Sequence, residues 1–444
     1  MSEIANRSGT KYGASSRGVV LTCLAITVID GIDLLMYGVV LPTLLNTEQW
    51  GITKTTAGLI GSLSLVGMMI GAMGAGYLTD LLGRRPVILA CIAVFTLFTT
   101  LCSVAPSLEI FGLFRLLAGL GFGGALPTVI ALTQEYARSD RRQLYNGIVQ
   151  AGYPIGGCII AVSGIFLLPA FGWKSVFWMG AIGGVVVLAI AFRYLPESIA
   201  FLAGKGRIDE AEALATRYGV EIAEPEAERG RGDRSHALKV IFSPKYRVST
   251  LMFPLVCFFG LLLGYAMNTW IPQILQSVGY DLGSALTFLL AFNLGSITGV
   301  VVLSGLADRF GPRRVISAGF LTGAVTISVL TLQPAQSLVF VFISIVGFAG
   351  ASQIAVTGFV GIHYPAEVRG TALGFAVGLG RLGGIAGPIL TGFILSSSLG
   401  TFAVFYVFAV IGVLAAITVA LIPRVKSTTI SAIESDIALK DGVR

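Results

Sequence analysis

Gly76-Tyr77-Leu78-Thr79-Asp80-Leu81-Leu82-Gly83-Arg84-Arg85 and Gly305-Leu306-Ala307-Asp308-Arg309-Phe310-Gly311-Pro312-Arg313-Arg314 are two versions of one motif. Their aspartates differ by 308 − 80 = 228, and the same shift carries Gly119 onto Gly347, Tyr136 onto Tyr364, Arg141 onto Arg369, Gly152 onto Gly380 and Gly156 onto Gly384. Apolar sequence produces one or two such matches by chance. It does not produce the loop motif and a paired arginine as well, so the chain reads as a tandem repeat of one structural unit.

Each motif lies between long apolar runs. The 444 residues are 55% hydrophobic and 12% charged, with a mean hydropathy of +0.85, which is the composition of an integral membrane protein. Twelve runs are long enough to span, from Val19–Leu45 to Phe402–Ile422. All are expected to be helices, because lipid offers the backbone no hydrogen-bond partners. The fold class is therefore all-α, with twelve transmembrane helices in two six-helix pseudo-repeats around a central cavity. A cytoplasmic tail of residues 1–18 precedes a bundle at 19–195, a cytoplasmic linker at 196–249, a second bundle at 250–422 and a tail at 423–444. Within the linker, the stretch from Ile208 to Ala215 reads as a short amphipathic helix and Glu221 to Arg234 as weakly ordered.

Arginines and lysines gather in alternate loops, at Arg84 and Arg85, at Arg138, Arg141 and Arg142, along the linker, at Arg309, Arg313 and Arg314, and at Arg369. The opposite loops hold Lys54 and Lys174. The basic side is expected to be cytoplasmic, with both termini on it. This asymmetry also accounts for the net charge of +7 without a nucleic-acid partner. The five cysteines have neither disulfide nor metal spacing. No nucleophile constellation, phosphate-binding loop or nucleotide-binding domain is visible, so no enzyme, cofactor or metal is expected and an ion gradient must supply any work.

The motif places an acid at the mouth of one helix and cations at the start of the next. Gly76 and Gly83, with Gly311 in the second copy, let backbones approach, and Asp80 or Asp308 can pair with Arg84, Arg85, Arg313 or Arg314. Such a latch would hold the basic side shut in one state and break in another. Arg141, Arg369 and His363 are expected to join this gate; Arg84 and Arg85 alternatively do no more than orient the chain.

The doubled motif resembles the cytoplasmic signature of the major facilitator superfamily. Arg115-Leu116-Leu117-Ala118-Gly119 and Leu195-Pro196-Glu197-Ser198 agree with that resemblance. Within the superfamily, Asp30-Gly31-Ile32-Asp33 resembles the Asp-Gly-aromatic-Asp signature of the bacterial aromatic acid/proton symporters, with Ile32 at the aromatic position. The resemblance implies a bacterial inner-membrane carrier of benzoate, hydroxybenzoate or gentisate type acting with protons, and a monomer is the expectation for the fold.

Charge inside a span costs about 2.5–3.5 kcal/mol at its centre, so such residues normally face a cavity and mark a path. Asp30 and Asp33 stand three residues apart in the first span, on one helical face, which predicts one shared cavity. Arg381 stands about ten residues, or ~15 Å, into the eleventh span. These groups are expected to meet between the halves, Arg381 binding the substrate's carboxylate with its planar fork and an aspartate carrying the proton. A permanent Asp–Arg ion pair is the alternative. Arg115 reads as either a coupling or a helix-pairing charge, and Glu135 as a mouth charge near Arg138, Arg141 and Arg142. Among Tyr37, Tyr153, Tyr265, Asn268, Trp270, Gln273 and Asn293, the candidates for substrate contact are Tyr37, Asn268, Trp270 and Asn293; packing roles stay open for each. Import by proton symport leads. Proton-coupled efflux of drugs or organic anions, and a transport-inactive membrane sensor, are the alternatives.

Overall fold

The computed structural model describes residues 13–47, 50–137, 142–220, 234–365 and 367–423. Lys11, Arg138, Arg141, Arg229, Arg231, Arg424 and Lys426 lie outside the described residues, as does most of the Glu221–Arg234 segment. Twelve helices are long and apolar enough to cross a membrane. In chain order they are α1 Gly13–Asn46, α2 Lys54–Leu82, α3 Arg84–Cys102, α4 Leu108–Tyr136, α5 Arg142–Phe171 and α6 Trp173–Tyr194, then α7 Arg247–Ser277, α8 Leu282–Phe310, α9 Pro312–Val329, α10 Gln336–His363, α11 Arg369–Ser396 and α12 Phe402–Leu421. α10 is broken for one residue at Ala351. No strand occurs among the described residues.

Local sequence sets the helix ends. Thr53 and Thr56 form a capping box at the start of α2, Ser107 caps α4, and Asp281 caps α8. Gly83 and Gly311, the repeat-related glycines of the two loop motifs, turn the chain between α2 and α3 and between α8 and α9 at φ +97° and +88°.

The repeat is visible in the packing. At Gly67 of α2 a Cβ would strike the carbonyl of Leu116 in α4, and at Gly295 of α8 it would strike that of Ser344 in α10; Gly119 meets the carbonyl of Ser64 as Gly347 meets that of Phe292. Each of these residues lies 228 from its counterpart. Both halves thus clamp their second and fourth helices backbone to backbone in the same register.

Between the halves, α2 packs on α11, α5 on α8 and α1 on α7. The side-chain hydrogen bonds that cross among the described residues all join α2 to α11: Lys54 to the Leu395 carbonyl (3.3 Å), Thr55 to Ser396 (2.8 Å), Ser62 to the Ile385 carbonyl (2.7 Å) and Arg381 to the Met68 carbonyl (3.2 Å). Toward the arginine-rich end the same helices part. Gly74 and Gly76 of α2, Gly147 of α5, Gly305 of α8 and Gly374 and Gly378 of α11 have no atom within 4 Å of a Cβ position. The bundle is closed at the end that carries Lys54 and open at the end that carries the arginines.

The segment between α6 and α7 docks on both halves. Helix Ile208–Tyr218 lies against the first, with Ser16 donating to the Tyr218 carbonyl (2.8 Å). Helix Arg234–Ile241 lies against the second, where the Ile241 carbonyl accepts from Thr250.

Candidate functional site

α1 is the most enclosed span, and it brings both its carboxylates inside: Asp30 is 1% and Asp33 0% exposed. The two feel each other's charge, yet their other neighbours differ. Asp33 faces the interior of the first half. A Cβ on Gly180 of α6 would lie 2.8 Å from its Oδ1, and Thr99 of α3 lies beside it without a hydrogen bond of ordinary geometry. Its cationic neighbour is Arg115 of α4, 1% exposed, whose Nη1 donates to the Asp33 backbone carbonyl at 3.2 Å and whose guanidinium sits 5.5 Å from the Tyr37 ring centre. Tyr37 in turn donates to the Ala57 carbonyl at 2.7 Å. Asp30 instead acts electrostatically on two phenols, Tyr153 of α5 and Tyr265 of α7, one from each half. Among the described residues neither oxygen of Asp30 has a hydrogen-bond partner, and neither has the Tyr153 hydroxyl.

Arg381 is half-buried on α11 and reaches across the seam to the Met68 carbonyl of α2. Tyr265 stands in its field as well as in that of Asp30. Neither Arg381 nor Arg115 forms an ion pair among the described residues, so the permanent Asp–Arg pair is absent from this state. Arg115 also borders a narrow cavity between the halves, about 10 Å³ and thus room for one water, lined by Tyr37, Gly61, Tyr265, Asn268 and Thr269. Asn268 donates from its amide to the Gly264 carbonyl at 2.9 Å, and its own carbonyl oxygen is buried without a partner among the described residues.

Two of the expected contact residues sit away from that cavity. Trp270 is fully buried and donates from Nε1 to the Pro388 carbonyl at 3.1 Å, pinning α7 to α11. Asn293 donates to the Leu289 carbonyl at 2.9 Å and presses its oxygen on Gly157 of α5, at the seam between the halves.

At the arginine-rich end, Asp80 and Asp308 are exposed, with no ion pair or hydrogen bond among the described residues, and Arg314 and Arg369 are exposed too. The second arginine of each motif works within its own half. Arg85 donates to the Phe192 carbonyl near the end of α6 (2.8 Å), and Arg313 donates to the Ala420 carbonyl near the end of α12; 420 − 192 equals 313 − 85, or 228. Both satisfy a carbonyl that has no further helical partner. The first arginine breaks the symmetry. Arg84 pairs with Glu135, which also accepts from Ser198 at 2.9 Å, whereas the second copy has Pro312 and His363 at these positions. His363 hydrogen-bonds Ser249 at 2.8 Å among the rings of Tyr246, Phe253, Phe359 and Tyr364.

Glu197, which the sequence marked only within Leu195-Pro196-Glu197-Ser198 and to which it gave no role, is a capping residue. Its Oε1 accepts from the backbone amides of Arg84 (2.8 Å), Arg85 (3.1 Å) and Ser198 (2.7 Å), which caps α3 where Gly83 has no side chain to do so. The signal available was a lone acid immediately after a span, opposite a helix that starts Gly-Arg-Arg.

Residues 23–305 and 287–438 match the family model described as Major Facilitator Superfamily. The chain is 35% identical to the benzoate transport protein of Acinetobacter baylyi, over 91% of this chain and 89% of that one. It is 34% identical to the gentisate transporter of Corynebacterium glutamicum, over 96% and 92%. Among solved structures, the inward open conformation of the xylose transporter XylE from E. coli superposes with a TM-score of 0.75 at 18% identity, covering 95% of this chain and 99% of that one.

Proposed function

The chain belongs to the major facilitator superfamily, among relatives named as aromatic acid transporters, and from that premise we propose that it imports a small aromatic carboxylate with protons by alternating access. The substrate is of benzoate, hydroxybenzoate or gentisate type. One observation carries the reading: Asp30, buried without a hydrogen-bond partner among the described residues, acts electrostatically on a phenol from each half, one of them also within the field of Arg381. An uncompensated carboxylate in such a place is costly, which suits a group that loads and unloads a proton rather than one that holds structure together.

In this scheme Arg381 binds the carboxylate of the substrate, exchanging its weak bond to the Met68 carbonyl for a two-pronged one. The anion then masks the charge of Arg381, in whose field Tyr265 stands together with that of Asp30, so proton and acid travel together. Arg115, bonded to the backbone carbonyl of Asp33, is the supporting cation of the first half. The arginine-rich end is the cytoplasmic one, the state described is inward-facing, and Asp80 and Asp308 are the unlatched gate acids. One proton with one monovalent acid moves no net charge, so the pH gradient drives accumulation at about 1.4 kcal/mol per unit. A second placement of the anion is on Arg115, the buried cation that lines the seam beside Tyr37 and Asn268.

Uptake of labelled benzoate and gentisate into proteoliposomes tests the proposal. Accumulation is expected under an inward proton gradient and is expected to vanish with a protonophore. Accumulation that survives the protonophore removes proton coupling, proton-driven extrusion indicates an efflux antiporter, and no movement of either acid in any gradient indicates a sensor.

A further inference from the structure

Thr99 of α3 stands apart from the other threonines of the spans. Buried threonines of α4, α9 and α11 donate to the carbonyl one turn back in their own helix, Thr133 to Val129, Thr326 to Thr322 and Thr391 to Gly387, each at 2.8 Å. Thr96 and Thr99 do not: their hydroxyls are buried and have no partner among the described residues. Two glycines one turn apart on α6 lie against them. A Cβ on Gly184 would lie 2.3 Å from Thr96 Oγ1, and one on Gly180 would lie 3.5 Å from Thr99 Cγ2 and 2.8 Å from Asp33 Oδ1. The Asp33 carboxyl thus occupies a niche beside Thr99 that is open to it because residue 180 has no side chain, and both its oxygens lack partners among the described residues. The titratable groups around it are Asp30 on its own helix, Cys102 of α3 and Arg115 of α4, while α6 presents Gly180. Arg115 can only donate, which suits an ionised carboxyl, and its Nη1 is given to the Asp33 backbone carbonyl instead. A threonine hydroxyl both donates and accepts, so it can serve the carboxyl in either protonation state.

We infer that Thr99 is the positioning residue that lets Asp33 hold the transported proton before Asp30 does, its hydroxyl accepting from the neutral carboxyl and donating to the ionised one. The inference rests on the proton-symport reading and adds a station to it. Asp33 stands three residues, about 4.5 Å of rise, further along α1 toward the closed end, and the two acids feel each other's charge. In the transfer an O–H bond breaks at Asp33 and another forms at Asp30. Asp33 is left as a carboxylate beside Thr99 and Arg115, and the Thr99 hydroxyl turns from acceptor to donor, neither gaining nor losing a proton.

Proteoliposomes test this in two modes with labelled benzoate and gentisate: accumulation under an inward proton gradient, and exchange of labelled for unlabelled acid without one. Thr99→Val keeps the shape and removes the hydroxyl. It is expected to lower accumulation about tenfold, the worth of one buried hydrogen bond, while exchange stays within about twofold of the wild type. Thr99→Ser, which restores a hydroxyl, is expected to recover roughly half or more of the accumulation. Wild-type accumulation by Thr99→Val, or a Thr99→Ser protein as defective as Thr99→Val, overturns the role of the hydroxyl while the symport reading stands. Loss of exchange together with accumulation in Thr99→Val marks a packing role and overturns it as well. Wild-type protein that exchanges either acid but accumulates neither under the gradient overturns the symport reading, and this inference with it.

Discussion

Asp30 and Asp33 are separated by three residues, about 60° around the helix, and that small turn gives them different neighbours. Sequence located both, because any acid in a run of this hydropathy stands out. It predicted one cavity, whereas packing aims Asp33 at α6 and Arg115 and leaves Asp30 to the phenols of α5 and α7. The phase of the surrounding helices decides this, and no residue of α1 encodes it. Asp30→Asn and Asp33→Asn are both expected to abolish proton-driven accumulation in proteoliposomes, with exchange of labelled for unlabelled acid retained in Asp30→Asn. They are expected to differ in thermal unfolding: Asp33→Asn, which removes the charge beside buried Arg115, loses about 1–3 kcal/mol, and Asp30→Asn loses none. Arg381→Lys replaces a planar fork with a point charge and is expected to weaken acid binding about tenfold by titration. Unchanged affinity there moves the anion to Arg115.

At the scale of the helix, what the repeat predicted best is what backbone sterics control. Gly119 and Gly347 were recognisable as a pair from their spacing, and each abuts the carbonyl of its neighbouring helix. The loop motif was legible as a motif but not as a set of bonds. Its second arginines close the ends of α6 and α12, and its aspartates stand exposed, because which carbonyl an arginine reaches depends on helices that lie far along the chain. Gly83 and Gly311 share a left-handed backbone but differ in surroundings. A Cβ at Gly83 would lie 2.5 Å from Glu197 Oε2, and none at Gly311 would meet an atom within 4 Å. Gly311→Ala is expected to lose about 1 kcal/mol through backbone strain. Gly83→Ala is expected to lose about 1 kcal/mol more by displacing the cap of α3. Denaturation in detergent measures both, and equal losses remove the capping role of Glu197.

Over the whole molecule, the twelve helices and their division into halves were legible from hydropathy and the 228-residue shift. The state of the bundle was not, since hydropathy and spacing fix the helices but not how far the two halves part at either end. If the end near Lys54 opens during the cycle, the seam between α2 and α11 must part. Thr55→Cys with Ser396→Cys, whose hydroxyls lie 2.8 Å apart, is expected to stop uptake on oxidation and recover it with dithiothreitol. Full uptake by the cross-linked protein shows that this end stays shut throughout transport. The polar part of the seam is slight. Its four hydrogen bonds are worth about 0.5–1.5 kcal/mol each, roughly 2–6 kcal/mol together, beside the packing of α2 on α11, α5 on α8 and α1 on α7. In the proposed cycle so few polar bonds leave little to break as that end opens, and the supply of acid and of protons on the two sides would then set the direction of travel.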